Sequence, residues 1–331
     1  MTDWIQRAWQ QGHPLLWLLL PFNLLFIAIA TLRKWAFALG LKKQQKLPVP
    51  VIVVGNLSVG GNGKTPVVLH LVELLARQGR RVGVISRGYG GQSDSWPQWV
   101  DANSTPRQVG DEPCLIVQRT GVPMAVGPDR IAAAKLLLER AQVDVIVSDD
   151  GLQHYRLGRD IELVVVDGER RFGNGFRLPM GPLREPKGRL KSVDAIICNG
   201  GQAPSGEFAM TLSPSALTAV DGGAQQPDLT QGAVAMAGIG NPPRFFEALT
   251  QQGITLNSQH GFGDHHPFTE SELGQLAQAP VPLLMTEKDA VKCRSFAKAH
   301  WFYLPVTANL SEEFDRLLLS RLKEIDHGVR H

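Results

Sequence analysis

The sequence predicts an α/β protein made of two units, each with a largely parallel sheet covered by helices. Three observations predict this class. Short apolar runs alternate with helical stretches from residue 51 to about residue 200, and a second, shorter block of the same kind starts near residue 232. A glycine-rich signature for phosphate binding follows the first apolar run. A long apolar segment precedes both units near the N-terminus.

The composition is that of a globular protein. The chain has 331 residues, enough for two ordinary domains, and a formal net charge of +3. So mild a charge does not demand an extended nucleic-acid surface, and we expect no nucleic acid as a partner. Cys114, Cys198 and Cys293 are far apart and form no CxxC pair, which argues against a disulfide framework or a cysteine zinc site. No obligate protein partner is indicated.

Residues 1–46 are expected to form a membrane anchor with a basic flank. Leu15–Leu32 is nearly all apolar, and five basic residues follow it: Arg33, Lys34, Lys42, Lys43 and Lys46. A span needs roughly 17–25 apolar residues, and Pro21 and Asn23 interrupt this one, so a helix that lies on the membrane and one that crosses it are both open. A signal peptide lacks support because no A-x-A-like site follows, whereas a buried core helix stays an alternative. The basic flank would keep the remaining chain cytoplasmic, beside anionic membrane lipids.

The stretch VIVVGNLSVGGNGKTP, Val51 to Pro66, predicts a strand, a tight loop and the start of a helix. The signature G-x-x-x-x-G-K-[ST] is met at Gly63, Lys64 and Thr65, with Ser58 in place of its first glycine. Unpaired N–H groups, the positive end of the helix dipole and an ammonium group would converge there, which suits a polyphosphate. The plainer interpretation is a glycine-rich turn with an exposed lysine.

Asp149 and Asp150 follow the apolar run VDVIV directly. Ligands of parallel sheets gather at the carboxyl ends of the strands, so a carboxylate here can hold Mg²⁺ opposite the hydroxyl of Thr65. The alternative is a pair of turn residues that caps the next helix. Two adjacent carboxylates repel each other, so one of them is expected to have another task.

Phosphoryl transfer to an alcohol needs a base, and two loops offer candidates. Asp111 and Glu112 lie in a turn between Gly110 and Pro113. The stretch GFGDHHPF contributes Asp264, His265 and His266 from the second unit. The alternatives are a turn residue for Asp111 and, for the histidines, a satisfied loop cluster or a zinc site with His260; spacing alone does not separate them.

Further charged segments are open to two interpretations. Arg170–Lys191 is basic and rich in glycine and proline, which suits a loop that grips anions or a solvated loop. Arg87 and Arg130 follow predicted strands and are stronger candidates for anion binding than this loop. TEKDAVK, Thr286 to Lys292, resembles the guanine-reading N-K-x-D only loosely and does not support GTP specificity.

The remaining boundaries follow from composition. Residues 47–200 form the first unit, and residues 201–231, rich in Gly, Pro, Ser and Gln, are expected to be a linker or small hairpin. Residues 232–310 form the second unit. Residues 311–331 begin with a serine cap and two glutamates and are expected to form a helix that packs back on the body.

Several motifs in this order resemble the tetraacyldisaccharide 4'-kinase family: GNLSVGGNGKTP, SRGYG, GDEP, VGPDR, SDDGLQH, LPMGPLREP, FGDHH and TEKDAVK. The resemblance covers Leu15 to about Lys292, and Ser or Thr commonly stands in that family where this chain has Ser58. It implies two Rossmann-like α/β/α domains, the first a P-loop kinase domain, joined by a short β linker and preceded by a membrane-associated helix. The implied activity transfers the γ-phosphate of ATP, with Mg²⁺, to the 4'-hydroxyl of an acylated glucosamine disaccharide lipid.

The resemblance also implies roles for individual residues. Lys64 and the loop at Gly60, Gly61, Asn62 and Gly63 would hold the phosphates, and Thr65 and Asp149 the magnesium. Asp111, paired with His265, would be the base for the sugar hydroxyl. The supporting roles fall to Asp150 and Glu112 beside metal and substrate, to Arg184 and Glu185 over the nucleotide, and to Arg130 and Tyr89 at the lipid headgroup.

Two other classes compete with this interpretation. One is a membrane-surface ATPase switch of the partition or targeting type, although such proteins carry an additional lysine early in the loop, where this chain has Ser58 and Val59. The other is a metallohydrolase built on His260, His265 and His266.

Overall fold

The computed structural model describes residues 2–328 of the chain, with side chains from residue 4 onward. Residue 1 of the expected anchor and residues 329–331 of the expected C-terminal segment lie outside this range. The strands are β1 Val51–Gly55, β2 Val82–Ser86, β3 Gln98–Val100, β4 Met124–Val126, β5 Val145–Asp149, β6 Ile161–Asp167, β7 Ala195–Asn199, β8 Phe208–Pro214, β9 Thr218–Ala219, β10 Ala233–Ala237, β11 Leu256–Gly261, β12 Leu283–Thr286, β13 Trp301–Leu304 and β14 Val306–Leu310.

The helices account for most of the remaining regular structure. They are α1 Thr2–Gln11, α2 Leu20–Ala38, α3 Lys64–Arg77, α4 Pro106–Val109, α5 Asp111–Thr120, α6 Arg130–Arg140, α7 Pro242–Gln251, α8 Glu270–Leu276, α9 Glu287–Cys293 and α10 Glu312–Asp326. Short 3-10 turns cover Pro14–Leu19, Lys187–Ser192 and Arg294–Phe296.

The larger sheet has nine strands in the order β14-β8-β7-β6-β1-β5-β2-β4-β3. All neighbours run parallel except β3 against β4 and β14 against β8, at the two edges. β1 and β5 are buried along their whole length, which explains their unbroken apolar runs. Val54 pairs with Asp149 in register, so the glycine-rich loop and the two aspartates leave the sheet side by side.

Helices cover both faces of this sheet. One core contains Leu71 and Leu75 of α3, Ile116 of α5 and Phe314 and Leu318 of α10. The opposite core is formed around α6 and the chain after β5, with fully buried side chains such as Leu137 and Leu152. The predicted α/β/α layering of the first unit is confirmed.

The smaller sheet has five strands in the order β11-β10-β12-β13-β9, parallel except for β9. Phe245 and Leu249 of α7 pack on one face, and Leu273 of α8 and Cys293 of α9 on the other. The second α/β unit predicted from the sequence is therefore present.

The chain crosses between the sheets more than once. The segment 201–231, expected as a linker or hairpin, supplies β8 to the large sheet and β9 to the small one. β14, inside the range 232–310 expected for the second unit, pairs with β8 in the large sheet, where it covers hydrogen-bonding groups that β8 would otherwise expose. α10, with Ser311 as its N-cap, then packs on the core of the large sheet.

The N-terminal segment carries its apolar residues on the outside. Within the described residues, Pro14–Ala38 is the helical stretch long and apolar enough to cross a membrane, and most of it is exposed. A buried core helix is therefore the wrong interpretation of this stretch. Its exposed large side chains are Leu15, Trp17, Leu18, Leu20, Phe22, Leu24, Leu25, Ile29, Leu32 and Trp35.

Candidate active site

The glycine-rich loop is held by the side chain of Asn199, at the end of β7, and by a hydrogen bond within the loop. Gly63 precedes α3 with φ of +89°, and a Cβ there would lie 2.3 Å from Nδ2 of Asn199, so only glycine fits. The same Nδ2 donates to the Asn62 carbonyl at 3.0 Å, and Asn62 Nδ2 donates to Oγ of Ser58 at 2.9 Å. These bonds restrict the conformations that are open to the loop.

Ser58 replaces the first glycine of the signature for a visible reason. Ser58 forms an antiparallel bridge with Leu183. Its φ is negative, so no glycine is needed at this position. A backbone in this extended form accommodates any L-residue, and the hydroxyl supplies the acceptor for Asn62.

Three charged side chains meet at the mouth of the loop. Lys64 Nζ lies 3.5 Å from Asp150 Oδ1, and Nη1 of Arg184 lies 3.3 Å from both oxygens of the same carboxylate. Burial acts to raise the pKa of Asp150, but the charges of Lys64 and Arg184 outweigh it, so the pKa is lowered. Asp150 has φ of +49°, a strained value of the kind that collects at functional sites.

Asp149 is the buried partner of this cluster. Its Oδ2 accepts a hydrogen bond from Ser86 Oγ at 3.3 Å, whereas Oδ1 is buried with no hydrogen-bond partner. Burial raises the pKa of this carboxyl to about 6. A buried oxygen without a partner, beside the helix start that carries Thr65, fits the oxygen ligands that Mg²⁺ prefers.

The second half of the site begins at α5. Gly110, with φ of +97°, turns the chain so closely past Tyr89 that a Cβ would lie 2.5 Å from the Tyr89 carbonyl oxygen. Asp111 is then the first residue of α5 and is buried. His265, from the small-sheet unit, reaches across, and its Nδ1 lies 3.0 Å from Asp111 Oδ2. The two units therefore share one carboxylate–imidazole pair.

The imidazole of His265 is surrounded by the carboxylates of Asp111, Glu112 and Asp264. Burial acts to lower its pKa, but the hydrogen bond to Asp111 and the charges of Glu112 and Asp264 outweigh burial, so the pKa is raised. His265 also has a positive φ, +62°. Its neighbour His266 points to Glu272 instead, at 3.0 Å.

The three histidines do not form a metal centre. His260 bonds to Ser258, His265 to Asp111 and His266 to Glu272. Within residues 2–328 no group of three or more His, Cys, Asp or Glu side chains could hold a metal ion by itself. This arrangement does not support the metallohydrolase hypothesis.

Two lysines of the site were missed by the sequence analysis. Lys288 Nζ lies 2.6 Å from Glu112 Oε1 and 3.0 Å from Asp264 Oδ1. Lys292 Nζ lies 2.7 Å from the fully buried Asp289 and 3.9 Å from Asp111 Oδ2. The available signal was TEKDAVK, which follows an apolar strand and spaces its lysines four residues apart on one helix face.

The comparisons with known proteins agree with this geometry. The sequence model of the tetraacyldisaccharide-1-P 4'-kinase family matches residues 15–323. The chain belongs to this family. It is 54% identical to the tetraacyldisaccharide 4'-kinase of Shewanella sp. strain W3-18-1, over the full length of both chains. It is 53% identical to that of Tolumonas auensis, over 98% of this chain and 99% of the relative.

A solved structure shares the fold. The crystal structure of LpxK from Aquifex aeolicus in complex with ATP is 30% identical in sequence, with a TM-score of 0.78 over 93% of this chain and 99% of that one. The family, the kinase class and the P-loop α/β fold predicted from the sequence are confirmed.

Within this kinase the remaining predicted residues lie around the same opening. Tyr89 is exposed, with its ring 5.0 Å from that of His265. Arg130 is buried and donates to the carbonyls of Gly127 and Asp150, and burial lowers its pKa to about 10. Its contacts support the strained backbone at Asp150.

The basic loop supplies Arg184 and Glu185. Both N–H groups point to the Leu57 carbonyl, at 2.7 and 3.4 Å. Arg184 turns toward the opening, whereas Glu185 is buried, where it accepts a hydrogen bond from Gln153 at 2.9 Å and lies 3.4 Å from Arg189. Of this pair, only Arg184 approaches the phosphate side of the loop in the present structure.

Proposed function

We propose that this kinase transfers the γ-phosphate of ATP to the 4'-hydroxyl of a tetraacylated glucosamine disaccharide 1-phosphate at a membrane surface. One observation carries the assignment of residues: Gly240 lies between the two halves, because a Cβ built on it would be 3.0 Å from the backbone nitrogen of Gly61, in the phosphate loop, and 3.9 Å from Oδ2 of Asp264, the neighbour of His265. The donor side and the acceptor side therefore open on the same small volume.

The donor side consists of the loop amides, Lys64 and Arg184. The amides of Gly60, Gly61, Asn62 and Gly63 and the ammonium of Lys64 are proposed to hold the β- and γ-phosphates. Arg184 now pairs with Asp150, and it can exchange that carboxylate for a phosphate oxygen without leaving the site. These cations stabilise the charge that is shared among the phosphate oxygens during transfer.

Thr65, Asp149 and Glu112 are the proposed magnesium ligands. The unpartnered Oδ1 of Asp149 supports its part in this set. Oε1 of Glu112 is paired with Lys288. Glu112 would therefore bind the ion through its other carboxylate oxygen, or through Oε1 after Lys288 has moved away. When bound, the ion supplies neutralisation of the phosphate charge.

The acceptor side consists of Asp111 and His265. As the 4'-oxygen forms its bond to the γ-phosphorus, the bond from that phosphorus to the β–γ bridging oxygen breaks, and the hydroxyl proton passes to the carboxylate of Asp111. His265 orients this carboxylate by donating a hydrogen bond from its Nδ1–H to Oδ2, and Tyr89 lies at the outer side of the same pair. Asp150 keeps Lys64 and Arg184 in place on the opposite side.

The N-terminal segment is proposed to be an in-plane anchor on the cytoplasmic face of the bacterial inner membrane. Half-buried residues recur along α2 at helical spacing, and the helix contacts the body near both ends, through Asn23 and through Phe37, whose ring lies 6.1 Å from that of Tyr155. A helix of 19 residues is about 28 Å long, so α2 lies along the body rather than projecting from it. Its outer face would then meet the lipids that carry the substrate.

We also propose that the two sheets are the cores of two domains. The large-sheet unit carries the donor side and Asp111, and the small-sheet unit brings His265 and Lys288. Movement of one unit against the other would assemble or open the acceptor side.

The function is tested by incubating the full-length protein with γ-labelled ATP, Mg²⁺ and the tetraacylated disaccharide 1-phosphate in detergent, then locating the label. We expect the label at the 4' position and no appreciable ATP consumption without the lipid. Label at any other position contradicts the proposal. Robust ATP hydrolysis without an acceptor would favour the membrane-surface ATPase switch.

A further inference from the structure

Asn23 is the polar exception in an apolar surface. It interrupts the apolar run from Leu15 to Ala30, and its side chain is only 3% exposed, whereas the adjacent Phe22 and Leu24 are 62% and 57% exposed. The helix thus turns its apolar residues outward and its one carboxamide toward the body. Such a placement needs a polar partner, because burying an unpaired amide is costly.

The partners of Asn23 are backbone carbonyls of a single loop, residues 172–183, which we call the bridging loop. Asn23 Nδ2 lies 2.5 Å from the carbonyl oxygen of Arg177 and 3.1 Å from that of Leu178. Trp9 adds two more links, because its Nε1 donates to the Pro179 carbonyl at 3.0 Å and its own carbonyl accepts from the N–H of Asn174 at 2.7 Å. Both N-terminal helices therefore hold the same loop.

The other side of the bridging loop is bonded to the phosphate loop. The Val59 N–H donates to the Pro182 carbonyl at 2.9 Å, and Ser58 forms an antiparallel bridge with Leu183. Leu183 and Leu57 are both buried in the same core. The residues directly after this contact are Gly60 to Lys64, which form the proposed phosphate site.

The two sides of the bridging loop are joined within the loop itself. The Leu178 N–H donates to the Leu183 carbonyl at 2.9 Å, and the Leu183 N–H donates to the Phe176 carbonyl at 3.1 Å. The residues that Asn23 holds are therefore bonded directly to the residue that bridges Ser58. A loop with three glycines has many conformations of its own, so these external bonds select one of them.

We propose that Asn23 is a positioning residue of this kinase: through the bridging loop it fixes the phosphate loop, so that ATP binds best when the N-terminal helices are seated. This inference rests on the proposed function only in taking Gly60–Lys64 as the ATP phosphate site. It differs from a purely anchoring role, in which Asn23 would fasten the helix and leave nucleotide binding untouched.

The test compares Asn23→Leu with Asn23→Gln in the full-length, detergent-solubilised protein. Leucine keeps the size and the apolar character of the helix but removes the donor, whereas glutamine keeps a carboxamide. We expect Asn23→Leu to weaken ATP binding and raise the KM for ATP by about three- to tenfold, the range expected when up to two net hydrogen bonds are lost. The KM for the lipid and the melting temperature should stay near those of the unmodified chain, as should the fraction of protein that sediments with membranes before detergent is added, and Asn23→Gln should recover most of the affinity.

A matched control removes the same kind of bond elsewhere. Asn257 Nδ2 donates to the Gln231 carbonyl at 2.9 Å, far from the phosphate loop in sequence and in the other sheet, and Asn257→Leu should leave ATP binding unchanged. Trp9→Phe is a second test, since it keeps an aromatic ring but removes the indole N–H that reaches the Pro179 carbonyl; we expect about a twofold loss of ATP affinity. If Asn23→Leu does not fold, the ATP affinity of Trp9→Phe tests the positioning role instead.

The outcomes separate the two proposals. Unchanged ATP affinity in Asn23→Leu, or in Trp9→Phe if the former does not fold, overturns the positioning role. So does a loss of affinity that occurs only together with a lower melting temperature. ATP binding is measured without the lipid, so a failure of the unmodified chain to label the 4' position would overturn the proposed function and leave this test intact.

Discussion

The proposed donor and acceptor sides of the site are built in opposite ways. The phosphate-binding part of the donor side comes from one continuous stretch, the strand β1, the glycine-rich loop and the first residues of α3, and Asp149 and Arg184 join it from the same large-sheet unit. The acceptor side joins Asp111 to His265, residues 154 positions apart that lie on a helix of the large-sheet unit and a loop of the small-sheet unit. Local backbone geometry fixes the first, whereas the second exists only while the two units touch.

The electrostatics of the two sides differ as well. Burial of Asp149 dominates the donor side and raises the pKa of that carboxyl. On the acceptor side, His265 lies near the carboxylates of Asp111, Glu112 and Asp264. Lys288 forms ion pairs with two of them, Glu112 and Asp264. Substitutions on the acceptor side should therefore affect turnover and the contact between the units. Substitutions on the donor side should affect nucleotide binding and the free energy that is needed to bury the carboxylate of Asp149.

The largest expected effect is that of Asp111→Asn. Asparagine keeps the shape of the side chain but cannot accept the hydroxyl proton, so turnover should fall by about 10²–10⁴-fold while nucleotide affinity stays within about twofold. Steady-state turnover and equilibrium nucleotide binding measure the two quantities. Equal losses in both would assign Asp111 to nucleotide binding rather than to the acceptor side.

Lys64→Met tests the donor side in the same assays. Loss of the ammonium removes a charge that stabilises the transferring phosphate, and turnover should fall by about 10²–10³-fold, with weaker nucleotide binding as well. Lys135→Met is the matched control, because Lys135 is exposed on α6 away from the loop. Wild-type nucleotide affinity together with wild-type turnover in Lys64→Met would refute the phosphate-binding role.

His265→Asn should have a smaller effect on turnover, about 10–100-fold, because the base itself stays and only its orientation is lost. His266→Asn is the control, since His266 bonds to Glu272 and not to Asp111. If the two variants were equally impaired, the pairing of His265 with Asp111 would not explain activity.

The contrast between the two sides also explains what the sequence could predict. The sequence predicts Gly63 and Lys64 as phosphate-binding residues and Thr65 as a metal ligand because a strand, a loop and a helix follow one another in the chain, and it predicts Asp149 as a metal ligand because this residue ends a neighbouring strand. Lys288 was missed because its partners, Glu112 and Asp264, lie on other elements and no spacing in the sequence encodes that meeting. The resemblance to the family, not the residue pattern, was what paired Asp111 with His265.

The same reasoning explains the boundary of the second unit. The apolar alternation up to residue 310 has the same form in either sheet, so β14 was assigned to the unit that precedes it in sequence. Its partner β8 lies in a segment whose composition predicted a linker. Which sheet a strand joins depends on its pairing with strands that are distant in sequence, and composition does not predict that pairing.

Asp149→Asn tests the cost of burial on the donor side. In the folded protein this carboxyl keeps its proton up to a pH of about 6, against 3.8 for an ordinary aspartate, so the free energy of unfolding falls as the pH rises through this window. Without metal or nucleotide, the variant should therefore be more stable at pH 7 by about 1–3 kcal/mol and no more stable near pH 4, although inactive.

Chemical denaturation at the two pH values measures this difference. Asp144→Asn supplies a control of opposite sign, because the hydrogen bond from Arg81 lowers the pKa of Asp144 to about 2, and its loss should slightly destabilise the protein at pH 7. An Asp149→Asn protein that was less stable than the unmodified chain at pH 7 would show that the buried carboxylate is already compensated.

The smallest effect we expect is that of Lys288→Met. Removing this ammonium leaves the carboxylates of Glu112 and Asp264 close together without their shared cation, so the contact between the units should weaken through like-charge repulsion. Turnover should fall by about three- to tenfold while nucleotide affinity, a property of the donor side, is unchanged. A double-mutant cycle with Asp264→Asn should show a coupling of about 1 kcal/mol in the free energy of unfolding. Strict additivity would mean that the ion pair between Lys288 and Asp264 contributes nothing to stability.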